Sequence, residues 1–439
     1  MVKLYLIIGL VFFYLRGNAQ SLYFPPTSGG NWDTISPESL GWCRDKITPL
    51  YNYLGSRNTK AFIVLKNGKI VMEKYFGTFS KDSLWYWASA GKTLTSFVVG
   101  VAQQEGYLSI NNVSSLYLKK GWSECPPAKE DLITVRNHLT MTTGLNDGVP
   151  DNHCTLDTCL NYLTDAGKRW AYHNGPYTLL DKVIEGATGQ NLNLYLASKL
   201  RTPIGMNGGF IKLGYDNVFI SNARSMARFG LLMLNKGIWD GVPIMKDTAY
   251  FSQMIQPSQT LNNAYGYLWW LNGKKNYMVP GTQFVFPGYL NAHAPEDMYA
   301  ALGKNAQLLN IVPSENLVFI RMGNSPNNLE VPFLLNDSIW MKLNDVICFT
   351  GKVKKVFDGK PEIVISPNPS KNSINIHNKD RLFIDRICVL NSQGKIILEP
   401  EIKSSEDEIS INVSGQTSGI YFVRIQFSSG TVIRKAFID

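Results

Sequence analysis

Apolar positions along residues 93–103 recur at Leu94, Phe97, Val98 and Val101. That i, i+3, i+4, i+7 spacing predicts a helix with a buried face. A second amphipathic helix is expected over Ser36–Tyr53, with Ser36 as N-cap, Pro37 in the first turn, and Leu40, Ile47, Leu50 and Tyr51 inward. Residues 61–77 read differently: two β-branched runs flank Asn67-Gly68, a strong short-range hairpin signal. Further helices are predicted over Thr134–Met141, Leu179–Glu185, Ala223–Leu234 and Val331–Ile347. Residues 298–303, 306–312 and 316–323 read as strands, the last two joined at Pro313-Ser314-Glu315. Strands thus stand near both ends with helices between them. This predicts an α+β domain: an antiparallel sheet in which the terminal hairpins pair, flanked by helices, with a helical subdomain.

Beyond Cys348 the pattern changes. Residues 349–361 read as a linker, and 362–439 as short β-runs separated by turns, a small all-β sandwich. The start reads as a signal peptide over residues 1–19: Lys3, an apolar run from Leu4 to Leu15, and the small-residue site Gly17-Asn18-Ala19. That run is too short to span a bilayer, and no later stretch approaches a transmembrane segment. The main domain is therefore expected over residues 20–348.

The 439 residues include 44% hydrophobic and 18% charged positions, enough for a large core. The net charge of +9 comes without a basic block interleaved with aromatics, which argues against a nucleic-acid partner. Export permits disulfides among the six cysteines. Cys154 and Cys159 are the preferred pair; the pairing of Cys43, Cys125, Cys348 and Cys388 stays open. His153, Cys154 and Cys159 lack a fourth ligand and a metal-binding spacing, so no metal and no cofactor is expected.

The candidate chemistry lies at Ser89 and Lys92, just ahead of the first helix. Residues three apart share a helical face. A lysine at the edge of a core has a lowered pKa and can take a hydroxyl proton. The helix N-terminus favours negative charge near the serine. Alone, Ser-x-x-Lys is a chance pattern that more often means an N-cap serine with a surface lysine. Ala90-Gly91-Lys92-Thr93 is no P-loop, since Tyr86 stands where its first glycine belongs, and Trp87 rules out a nucleophile elbow.

With Tyr172-x-Asn174 also in view, residues 22–347 resemble the serine β-lactamase and penicillin-binding-protein-like hydrolases, including class C β-lactamases, family VIII carboxylesterases and 6-aminohexanoate-dimer hydrolases. The stretches LITVRNHLTMTTGL, RWAYHNGPYTLL and SNARSMARFGLLMLNKGIWDG fit the same family. The resemblance implies Ser89 as nucleophile, Lys92 as its base or base partner, Tyr172 as a second proton-transfer group, and Asn174 as a group hydrogen-bonding the substrate's carbonyl or amide. His173 between them is expected to be an exposed loop residue. The family's third motif, Lys-Thr-Gly, corresponds to Ala301-Leu302-Gly303. Gly303 keeps the site narrow, and the N–H of Lys304 would join that of Ser89 as an oxyanion hole. The cation at the first position is absent, which points toward an ester or amide without a carboxylate. The same cleft in a catalytically silent protein would bind cell-wall or polymer ligands. Trp85, Trp87, Trp269 and Trp270 suit core or cleft wall. ISPNPS (365–370), LNSQGKII (390–397) and SGIYFVRI (418–425) resemble the type IX secretion sorting domain. That resemblance implies the secretion machinery as a partner and a secreted or cell-surface location.

Overall fold

The computed structural model describes residues 22–325, 333–348, 362–379, 384–392, 394–400, 406–427 and 430–439. The expected signal peptide and linker lie outside the described residues.

Helix α1 covers Ile47–Ser56, shorter than the pattern suggests. Glu38–Leu40 and Arg44–Lys46 form separate 3₁₀ turns, because Gly41 is left-handed (φ 72°) and Cys43 is extended. Cys43 is tied down by a disulfide to Cys348 and donates its N–H to Val346 O at 2.8 Å. Strands β1 (Thr59–Lys66) and β2 (Lys69–Tyr75) form the expected hairpin. Asn67 and Gly68 both have positive φ, as the tight two-residue turn requires.

Next come β3 (Trp85–Tyr86), α2 (Lys92–Gln104), α3 (Val135–Leu139), α4 (Asn174–Thr178) and α5 (Leu180–Thr188). Thr134 and Asn137 close a capping box on α3. Strands β4 (Gly209–Leu213) and β5 (Asp216–Ser221) pair, and β5 also pairs with β3. Helix α6 spans Ala223–Leu234, capped by the Asn222 side chain. The domain closes with β6 (Trp270–Leu271), β7 (Tyr299–Gly303), β8 (Gln307–Val312), β9 (Leu317–Gly323) and α7 (Phe333–Ile347).

The central sheet is antiparallel throughout, in the order β2-β1-β9-β8-β7-β6. The two terminal hairpins meet at β1–β9, with Ile63 opposite Ile320. Strands β7, β8 and β9 are buried along their whole length, because helices cover both faces. On one face Gly230 of α6 lies against Val318 and Leu309. On the other, Trp340 of α7 packs on Phe319 and Asn336 bonds Asn310. Ala301 is paired with Leu309, so Ala301 and Gly303 project toward the α6 and α2 side.

Beyond residue 362 a three-stranded sheet (363–366, 373–378, 408–412) lies over a four-stranded one (396–398, 384–391, 419–427, 430–438). Ile374, Ile376 and Ile411 from one meet Ile387, Val389, Val423 and Ile425 from the other in a core separate from that of the main domain. This is the expected sandwich. Cys388 is buried within it as a free thiol.

Candidate active site

Ser89 sits in a 3₁₀ turn, Ala88–Gly91, that runs directly into α2. Trp87 anchors this turn. It is fully buried, donates its N–H to Phe219 O and its indole N–H to Ser221 Oγ, both at 2.8 Å, and packs edge-on against Phe219. Ala88 follows in the left-handed region (φ 46°), a strained conformation for a residue with a Cβ. The anchored indole holds that strain and leaves Ser89 half-buried at the mouth of α2.

Lys92 lies one turn further in and is buried. Its Nζ sits 3.8 Å from the ring centre of Tyr177 and 5.5 Å from that of Tyr172. Burial lowers its pKa to about 7, against a smaller opposing pull from Asp216. Neither Ser89 Oγ nor Lys92 Nζ makes a hydrogen bond among the described residues. An amine in this setting can be neutral and accept a proton near pH 7.

Tyr172 is buried and stacks on Trp270, with ring centres 5.9 Å apart and planes at 17°. Tyr265 and Trp170 pack around it. Asn174 opens α4, and its amide is held by the loop before it. His173, expected to be exposed, is instead buried, because it lies on the inner side of the turn entering α4. Neither ring nitrogen has a hydrogen-bond partner, and burial pushes its pKa down to about 4.

Gly303 ends β7 against the Ser89 turn. A Cβ there would collide with Trp87 O and lie 2.9 Å from Ala90 N and 3.2 Å from Ser89 N. Only glycine lets the strand come this close. Ala301 is buried with no cation in its place. Lys304 has an exposed side chain and begins a tight turn, with Asn305 and Ala306 at positive φ.

Several residues that shape this site carried no local sequence signal. Arg321, fully buried on β9, donates to Asn305 O at 3.0 Å and Ala306 O at 2.8 Å. Asn305 Nδ2 donates to Tyr86 Oη at 2.7 Å, tying the Lys304 turn to the strand preceding Ser89. Asp216 accepts a 2.8 Å bond from His153 Nδ1. That bond raises the His153 pKa, and it holds the Asp216 carboxyl below its usual range despite burial. The Cys154–Cys159 disulfide is present, with Cα atoms 5.9 Å apart. Among the described residues, no group of three or more His, Cys, Asp or Glu is arranged to hold a metal. None of the described helices is long and apolar enough to cross a membrane.

An antiparallel sheet with a half-buried serine, a buried lysine one turn on, and a glycine strand-end against the serine N–H is the framework of the serine β-lactamase and penicillin-binding-protein class. Residues 54–340 match the β-lactamase family, and the chain belongs to it. Residues 364–439 match the secretion system C-terminal sorting domain. The chain is 25% identical over 301 residues to an uncharacterized protein of Alkalihalophilus pseudofirmus, an alignment covering 60% of this chain and 82% of that one. It shares its fold with a penicillin-binding protein homolog from Caulobacter crescentus (TM-score 0.54, 12% identity, 73% of this chain and 99% of that one). A family VIII carboxylesterase has the same fold (TM-score 0.53, 14% identity, 71% and 99%). The protein is thus a β-lactamase-family hydrolase with a type IX sorting tail, which directs it to the secretion machinery and out of the cell.

Proposed function

We propose that this protein is a secreted serine hydrolase that cleaves a neutral ester or amide through an acyl-enzyme on Ser89. The observation that carries this reading is Lys92. It is buried, one turn from Ser89, with a pKa of about 7. In its neutral form it takes the Ser89 proton as Oγ attacks the carbonyl carbon. The N–H groups of Ser89 and Lys304 stabilise the oxyanion, with Gly303 allowing their approach. Tyr172, beside Lys92, passes the proton to the leaving group. Water then hydrolyses the acyl-enzyme by the reverse proton path.

The substrate preference follows from Ala301. A lysine or histidine at that buried position would pair with a substrate carboxylate, and alanine does not. Two probes used in parallel, a fluorophosphonate and a fluorescent penicillin, test the reading. The fluorophosphonate should label Ser89 in the wild type and label nothing in Ser89→Ala, with weaker penicillin labelling. Ester turnover surviving Ser89→Ala at near wild-type rate would refute the mechanism and leave a ligand-binding cleft.

A further inference from the structure

We propose that His153 is a positioning residue for the reaction: by donating to Asp216 it holds that carboxylate off Lys92, and so keeps the Lys92 amine free to act as the base. This rests on the Ser89 acyl-enzyme reading and adds the pair that keeps its base in working order.

A buried amine near a carboxylate can settle in two ways. It can lose its proton, or it can keep it and form a salt bridge. Only the neutral amine serves as a base. Asp216 is the carboxylate whose charge reaches Lys92, and it reaches Tyr177 beside it as well. Among the described residues it nevertheless makes no salt bridge to the lysine. It is bonded instead to His153 Nδ1, at 2.8 Å. Nδ1 carries a hydrogen in the charged ring and in the neutral ring that donates to Asp216; the proton that leaves is the one on Nε2. The bond therefore persists as the pH rises through 7. Lys212 also faces Asp216, and Lys92, Asp151 and His173 face His153.

Both partners are fixed by elements that flank the lysine. Asp216 opens β5, and the same strand takes the Trp87 N–H at Phe219 O, 2.8 Å, just before the turn that carries Ser89. The next residue, Asn217, donates to Asp181 of α5 at 2.7 Å. On the other side, His153 Nε2 lies 3.4 Å from Nδ2 of Asn174, the first residue of α4. Asn152 Oδ1 accepts the side-chain and backbone N–H groups of Asn174 at 2.8 and 3.1 Å. Tyr177 of the same helix sets its ring 3.8 Å from Lys92 Nζ. The Cys154–Cys159 disulfide closes the loop next to His153. The His153–Asp216 bond thus bridges the strand beside the Ser89 turn and the helix over Lys92. Without the Nδ1–H, the carboxylate is left with the Lys92 ammonium to pair with, and the lysine holds its proton to higher pH.

The test is the pH profile of kcat/KM for p-nitrophenyl acetate, from about pH 5.5 to 9.5. Wild type should rise through about 7. His153→Phe keeps a ring without a donor, and its rise should move up by about one pH unit. At pH 7 that leaves about a tenth of Lys92 neutral instead of half, so kcat/KM falls about fivefold, and the loss disappears toward pH 9.5. His153→Gln, which still offers an N–H to the carboxylate, should keep the rise near 7. His153→Phe with Asp216→Asn, which leaves no carboxylate to pair, should bring the rise back to 7 or below. A merely structural defect lowers kcat/KM at every pH and is not mended by a second substitution. A rise that stays at 7 in His153→Phe, or one that Asp216→Asn leaves displaced, overturns the proposal while leaving Lys92 as the base. Should His153→Phe fail to fold, Asp216→Asn alone carries the readout: its rise should lie below that of wild type, and an unmoved rise overturns the proposal. A wild-type profile with no rise near 7 overturns the Lys92 reading and the proposal with it.

Discussion

Replacing Lys92 with methionine should abolish turnover and make the protein more stable. The amine has a pKa of about 7 in the folded chain against 10.5 when solvated. The unfolded chain therefore binds more protons between those values, and stability rises with pH across that window. Below pH 7 both states are protonated, and holding the ammonium in the core costs about 5 kcal/mol, at 1.36 kcal/mol per pKa unit. At pH 7 the folded amine is half neutral and the cost is about 4 kcal/mol; by pH 9.5 it is about 1.5 kcal/mol. The Tyr177 face, 3.8 Å from Nζ, returns up to about 2 kcal/mol of cation–π attraction. Lys92→Met should thus be about 2–4 kcal/mol more stable at pH 7, with a gap that narrows toward pH 9.5. Urea unfolding read by tryptophan fluorescence measures this directly, since all ten tryptophans precede residue 341 and report on the hydrolase domain alone. A variant no more stable than wild type at pH 7, or a gap that does not narrow with pH, would refute the claim that Lys92 is a strained, desolvated base.

The same pKa predicts that kcat/KM for a neutral ester rises with pH through about 7, as the amine loses its proton; a profile flat from pH 5 to 9 contradicts it. Gly303→Ala places a methyl against backbone atoms that cannot yield, so kcat/KM should fall about a hundredfold with a stability loss of about 1–3 kcal/mol, checked by kinetics and melting. Benzylpenicillin should be turned over more slowly than p-nitrophenyl acetate, and Ala301→Lys should narrow the gap; faster penicillin turnover in wild type would place a carboxylate-binding cation elsewhere. A chain ending at Thr350 should keep wild-type ester turnover and lose export, as measured in culture supernatant, because the sandwich has its own core.

The central strands, α2 and α6 were legible because each stretch is long and its period unambiguous. Ile63, Leu309 and Ile320 read as strand residues whatever they pack against. Tyr172 and Asn174 were legible only as a motif, since nothing local distinguishes Tyr172 from any buried aromatic. The helix from Ser36 was misjudged because periodicity does not register the left-handed Gly41 or the constraint at Cys43. His173 differs for a related reason: its neighbours in sequence are turn residues, and nothing local registers that distant parts of the chain bury this turn.

The sequence by itself pointed to Ser89 and Lys92, the pair proposed to react, to the strand that borders them and to the division into hydrolase and sorting modules. Each of these is written in contiguous residues, where spacing along the chain is spacing in space. Only the tertiary structure decided the state of the lysine and the partners that hold Asn174. Lys92 has its pKa from rings and helices that close over it, Tyr177 among them. Asp216 is 63 residues from His153, and Asn152 is 22 from Asn174. Desolvation and hydrogen-bond direction depend on what surrounds a group on every side, and most of those neighbours come from distant parts of the chain.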